Sequence, residues 1–239
     1  MFKKLIPRRY NVPAMLTYGR FIKWVKPQSE GRWLDLVTLV VPRQLLLRTV
    51  PSFFKAIGDS GRNLRWVVHV DPVDGMMDGW QPCLDAVEEL SRRFDAYDIA
   101  VAQSNQGHPR SMFSCFDRIC HDSIYSEDDK LFTVPFNVDE IERRGFDYVC
   151  LGGRRGRMPC TRSGWWSLRS AKHIASSKGS YSRGNIERWI RGAFNAGGFT
   201  ATRGSTCHSI DIGLDDIFRC GLVRAYNRDG SVGDRKSVV

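Results

Sequence analysis

Two stretches of this 239-residue chain, LDLVTLVVP at 34–42 and LRWVVHVDP at 64–72, are almost unbroken runs of Val and Leu that end in Pro. A strand with one wet face alternates apolar and polar residues, so continuous runs of this kind belong to strands buried on both faces, as in a parallel sheet. Parallel neighbours need a crossover between them, and the intervening RQLLLRTVPSFFKAIGDSG supplies one. Its Leu45, Leu46, Val50, Phe53, Phe54 and Ile57 fall near helical spacing, with Pro51 inside and Gly58 and Gly61 as stops. The alternation then repeats. DGWQPCLDAVEELSRRF (78–94) reads as a helix with Trp80, Leu84, Val87 and Leu90 inward, and DIAVAQSN (98–105) as a third strand. HPRSMFSCFDRIC is a helix with an apolar face of Met112, Phe113, Phe116 and Ile119, and DSIYSEDDKLF is a fourth strand. The expected fold class is therefore α/β, a mostly parallel, Rossmann-like central sheet covered by helices in a single domain.

Beyond residue 145 the pattern loosens. FDYVCLGG and GWWSLRSAKHI read as strand, glycine turn, then strand into helix, and NIERWIRGAFNAGGF (185–199) as a helix stopped by Gly197 and Gly198. The expected boundaries are a basic arm at 1–32, the domain at 33–226 and a tail at 227–239. No run of about 18 apolar residues marks a membrane span, and the first residues lack a secretory pattern. A cytoplasmic protein (host cytoplasm if viral) is expected. The seven cysteines contain no CxxC pair; Cys115, Cys120 and His121 come nearest to a metal cluster but lack a second half at ligand spacing.

The net charge of +10 is unevenly spread. Residues 1–32 hold eight Lys/Arg against Glu30, and 152–203 hold eleven against Glu187, while the rest of the chain is acidic. Such segregation suits a polyanion, nucleic acid being the commonest, although a solvated basic surface with no partner has the same signature.

In open α/β sheets ligands bind beyond the carboxyl ends of the strands. Those ends are Pro42-Arg43, Asp71, the Ser104–Gly107 segment and the triplet Glu127-Asp128-Asp129. They contain neither GxGxxG nor GxxxxGK[ST], which argues against a dinucleotide fingerprint and a P-loop. Instead they offer clustered carboxylates, which repel one another unless a cation such as Mg²⁺ or Mn²⁺ intervenes. The plain alternative is a solvated acidic turn.

Taken in order, LDLVTLVVP, WVVHVDP, AVAQSNQGHPRSMFSCFDRI and SIYSEDDKLF resemble the nucleotide-sugar glycosyltransferases of the GT-A fold, most closely the inverting family numbered 2. The resemblance covers roughly residues 34–214. It implies that Pro42, Arg43, Asp71, Asn105, Gly107, Arg110 and Asp128 bind the donor, with Asp71 at the base and Asp128 at the ribose. It also implies that Asp129, in a DXD-like motif, holds Mn²⁺ or Mg²⁺ against the diphosphate, with His208 as a possible second ligand. Glu127 stands where the family often has Asp. The general base an inverting transfer needs would be Glu187 or, as rival, Asp216 in GLDDIF. Trp165, Trp166 and Arg191 would lie on the acceptor side, the tryptophans either stacked on a ligand or in the core.

A small basic enzyme of this kind resembles viral glycosyltransferases that modify hydroxymethylated pyrimidines in DNA, so the expected partners are a nucleotide-sugar donor and a DNA acceptor. A glycan or lipid-linked acceptor is the alternative; other classes are a nucleic-acid-binding module without chemistry and a nucleotidyltransferase.

Overall fold

The computed structural model describes residues 18–23, 31–152, 163–181, 185–203 and 209–211. The two apolar runs form β2 (Trp33–Val40) and β3 (Asn63–Val70), paired in parallel along their whole length. Between them runs α1 (Leu46–Ile57), which continues through Pro51 and stops at Gly58. α2 (Trp80–Ser91), β4 (Ala96–Val101), α3 (His108–Arg118) and β5 (Ser123–Glu127) follow as expected.

The eight-stranded sheet has the order β1-β4-β3-β2-β5-β8-β7-β9, where β1 is Gly19–Lys23, β7 Tyr148–Cys150, β8 Gly164–Trp166 and β9 Ala201–Arg203. β4, β3, β2 and β5 run together and β7 pairs β9 in parallel, whereas β1, on β4, and β8, between β5 and β7, are antiparallel to their neighbours. The sheet is thus mostly parallel, as the sequence pattern predicts, with β1 and β8 alone among its eight described strands running the other way. DSIYSEDDKLF is not one strand either. β5 ends at Glu127, Asp128 and Asp129 make a turn, and Lys130–Phe132 is a separate strand, β6, paired with β10 (Ser209–Asp211).

Helices cover both faces. α1, α2 and α4 (Val138–Arg143) share one apolar core with Leu36, Trp66, Val68 and Ile99, and α3, α5 (Leu168–Ser176) and α6 (Ile186–Ala196) share the other with Val37, Val67 and Tyr125. Consecutive strand residues point to opposite faces, so Trp165 enters the first core and Trp166 the second. The expectation that these tryptophans could meet a ligand is corrected here: they are 3% and 0% exposed, and Phe116, Tyr148 and Phe194 pack around the Trp166 ring.

The strands on the α3 side also bury charge. Asp35 stands opposite Arg65 in the ladder and accepts from its guanidinium at 3.0 Å, while Asp98 receives Arg20 at 2.9 Å and Arg118 at 2.9 Å. A single charge inside each of LDLV, LRWV and DIAV thus finds its partner across the sheet.

Candidate active site

After β2, β3 and β4 run to one side of the sheet, and β5 then returns to pair with β2 on the other. The chain therefore reverses direction across the sheet at β2–β5, the position where open α/β folds leave a crevice beyond the strand ends. A cavity of about 340 Å³ lies there. It is lined by the ends of all four parallel strands, including Arg43, His69, Asp71, Asn105, Gly107 and Asp129. That volume falls within the range of small-molecule sites.

At the end of β5 the acidic triplet turns back into β6, and the protein's own cations meet it. Arg43 reaches Asp128 from Nη2 at 2.6 Å and from Nε at 3.1 Å, and the same Nη2 lies 3.1 Å from Asp129. Such two-pronged pairing fixes orientation as well as charge. The Val41 N–H donates to the Asp128 carboxylate at 3.1 Å, and Thr49 Oγ1 donates to the Asp128 carbonyl at 2.6 Å, which ties the turn to β2 and α1. Lys130 Nζ stands 2.6 Å from Glu127 and 3.0 Å from Asp129, and His108 Nε2 is 3.0 Å from Glu127.

These surroundings separate the acids. For Glu127, burial works against ionisation, but His108 and Lys130 outweigh it and hold the carboxyl down at about 2. For Asp128, burial dominates despite Arg43, and with the neighbouring Asp129 charge it pushes the carboxyl up to about 6. Burial also works against the charge on Arg43, yet its hydrogen bonds to Asp128 and the two carboxylate charges keep it a cation, above its ordinary value.

Asp71, at the end of β3, organises the opposite wall. It accepts from the Gln106 N–H at 2.7 Å, the Gly107 N–H at 3.0 Å and Ser111 Oγ at 3.0 Å. A carboxylate at the start of α3 satisfies amides the helix leaves unpaired and suits its dipole. Gly107 permits this bend, since its φ of 74° lies in the left-handed region. Asn105 Oδ1 accepts from the same Gly107 N–H at 2.8 Å. Asp71 Oδ1 receives one of these bonds and so keeps a lone pair for a ligand.

The structure therefore brings Arg43, Asp71, Asn105, Gly107, Asp128 and Asp129 together around one cavity. Pro42 lies beside it, its carbonyl packed so closely on Gly79 that a Cβ there would come within 2.3 Å. Arg110 is not in this group; it lines a second cavity of about 480 Å³ with Arg118, Lys178 and Tyr181. Glu187 sits in the first turn of α6, behind the Asn185 cap, with Arg191 at 3.7 Å, and neither lines the donor-side cavity. His208 and Asp216 lie outside the described residues. Sequence reasoning passed over His69, His108, Ser111 and Lys130. The available signal was strand alternation, which puts His69 on the same side as Asp71.

For a divalent cation the donor set is limited. Among the described residues no three His, Cys, Asp or Glu side chains form a metal-binding group. Asp128 is committed to Arg43, and Asp129 is shared, with Arg43 Nη2 3.1 Å from its Oδ2 and Lys130 Nζ 3.0 Å from its Oδ1. An ion at Asp129 would take the place of Lys130 at Oδ1 and be shared with a bound diphosphate and water, which is how Mg²⁺ is commonly held.

The sequence matches no family model, and a search of curated proteins finds no match. Solved structures share the fold. S. aureus TarS superposes with a TM-score of 0.55 at 8% identity, over 78% of this chain and 38% of that one. TarS 1–349 in complex with UDP-GlcNAc gives 0.53 at 8% identity, over 74% and 57%. The mannosyltransferase PcManGT from Pyrobaculum calidifontis, in complex with GDP-Man and Mn²⁺, gives 0.51 at 9% identity, over 77% and 58%. The chain thus spans less than two thirds of the length of these neighbours, and it has their GT-A-like fold.

Proposed function

We propose that this chain transfers a sugar from a nucleoside-diphosphate sugar to a hydroxyl acceptor, with the donor seated in the cavity at the ends of β2 to β5. The observation that carries this reading is the convergence of Asp71, Arg43, Asp128 and Asp129 on one cavity at the reversal point of the sheet. Neighbours of the same fold bound to UDP-GlcNAc or to GDP-Man with Mn²⁺ support it.

Each residue has a distinct task. The open lone pair on Asp71 Oδ1 accepts from the base. Asp128, oriented by Arg43, accepts from the ribose. Asp129 Oδ1 would hold Mn²⁺ or Mg²⁺, which when bound offsets the charge gathering on the departing diphosphate. In an inverting reaction the acceptor oxygen bonds to the anomeric carbon as the bond from that carbon to the β-phosphate oxygen breaks. The acceptor proton passes to a carboxylate, for which Glu187 and Asp216 are the candidates.

The proposed acceptor is a hydroxymethylated pyrimidine in DNA, on the strength of the two basic segments. Part of that charge is engaged within the protein: Arg20 with Asp98, Arg32 with Glu142, Arg169 with Asp147 and Arg191 with Glu187. Incubation with a panel of nucleotide sugars and Mn²⁺ is expected to release nucleoside diphosphate, with EDTA and Asp129→Ala each lowering the rate at least 100-fold. Equal rates in Asp129→Ala would remove the metal assignment. A hexose or pentose mass gain on nucleosides from hydroxymethylated DNA is expected; a gain seen only on glycan or lipid-linked acceptors would replace the DNA reading.

A further inference from the structure

His69 is the penultimate residue of β3 and shares the α3-side face with Asp71. It is 6% exposed and lines the donor-side cavity, yet neither Nδ1 nor Nε2 has a hydrogen-bond partner among the described residues. Its surroundings explain the ionisation state: burial, assisted by Arg118, outweighs the nearby Asp71 and holds the imidazole down at about 4, so the ring is neutral at physiological pH. A neutral imidazole has one N–H donor and one lone-pair acceptor. Both are buried without a partner, which destabilises the fold relative to an apolar residue at that position. The ladder partners of His69, Leu39 and Ala100, are apolar, and an aliphatic residue would extend the same pattern.

We propose that His69 reads the donor base, donating a hydrogen bond to a ring carbonyl while Asp71 accepts from the adjacent ring N–H, so that the cavity selects bases with a keto-imino edge. This rests on the donor-cavity reading above. Uracil and guanine carry an N–H next to a carbonyl. Cytosine and adenine carry the reverse pattern, which would set a ring lone pair against the Asp71 carboxylate. A half-turn about the Cβ–Cγ bond of His69 exchanges each ring nitrogen with a carbon and keeps the shape of the side chain. Either nitrogen can therefore be presented to a ligand without repacking.

The test is equilibrium binding of UDP, GDP, CDP and ADP, with Mn²⁺, to the wild-type chain, His69→Leu and His69→Gln, alongside thermal unfolding of each nucleotide-free protein. Wild type is expected to bind UDP or GDP at least tenfold more tightly than CDP and ADP. His69→Leu should lose at least tenfold in affinity for the preferred nucleotide and change less than threefold toward the others. His69→Gln, whose amide also donates and accepts, should recover part of the preference. Nucleotide-free His69→Leu should melt at or above the wild-type temperature, because it removes a buried polar group that lacks a partner.

Base preference that survives in His69→Leu would overturn the role of His69 and leave the donor cavity standing. A clear fall in the stability of that variant would show that the imidazole already has partners, and would overturn the role too. A wild-type chain that binds none of the four nucleotides would overturn the donor-cavity reading along with it.

Discussion

Asp128 and Arg43 set opposite pH trends for stability and for ligand binding. The folded protein holds the Asp128 proton up to about 6, above the ordinary carboxylate value of about 3.9. Its contribution to stability is therefore fully present below the unfolded value and lost as pH rises through about 6. Binding runs the other way, since a protonated Asp128 gives up its ion pair with Arg43 and part of its capacity to accept from a ribose. Affinity for UDP-glucose, whose diphosphate has no ionisation near neutrality, is expected to fall several-fold between pH 7 and pH 5. Asp128→Asn should remove most of that dependence and flatten the urea midpoint between pH 4.5 and 6.5. An unchanged pH profile in Asp128→Asn would assign the titration to another group. The acidic triplet that looked self-repelling in sequence is thus met from three directions, by the cations Arg43 and Lys130 and by the His108 ring. Lys130 follows the triplet directly, but Arg43 could not be matched to it by spacing, because it is 85 residues away.

At the scale of elements, what was legible in the sequence follows burial. β2 and β3 announced themselves because both faces are covered. Their carboxyl ends therefore led to Arg43, Asp71 and the acidic turn. β1 did not, since GRFIK buries only Phe21 and its Arg20 and Lys23 read as part of a basic arm. α4 is six residues long, too short for periodicity, although Asn137 caps it by accepting from the Asp139 and Glu140 N–H groups. The Trp165-Trp166 pair could not be placed in advance, because a covered and an uncovered face look alike over three residues. The junction of β2 with α2 depends on a glycine: a Cβ on Gly79 would meet the Pro42 carbonyl at 2.3 Å and its carbon at 3.0 Å. Gly79→Ala must therefore displace the β2 end that carries Arg43. It is expected to cost roughly 1–3 kcal/mol in urea unfolding and to weaken UDP binding as well. A stable variant with native affinity would show that this contact does not position the site.

For the whole molecule, the sheet is anchored at one end and functional at the other. Asp35, Arg65, Asp98, Arg20 and Arg118 close the amino ends of the central strands with ion pairs, while the carboxyl ends open onto the cavity. Removing one partner leaves a buried charge uncompensated, so Asp98→Ala is expected to cost about 3–5 kcal/mol. For Asp98, burial opposes ionisation, but Arg20 and Arg118 prevail and hold it below its ordinary value. Its stabilising effect is present above the unfolded carboxylate value and lost as acid reaches the folded one. Acid unfolding of Asp98→Ala should accordingly lose the steepest part of the wild-type transition. The central claim concerns the other end of the sheet, and photolabelling addresses it most directly. A UDP-sugar bearing an azide on the uracil, irradiated on the protein with Mn²⁺, should label residues within 69–73 or 104–108, with excess UDP abolishing the label. Labelling confined to the second cavity, around Asp117 and Lys178, or labelling unaffected by UDP, would contradict the placement of the donor at the ends of β2 to β5.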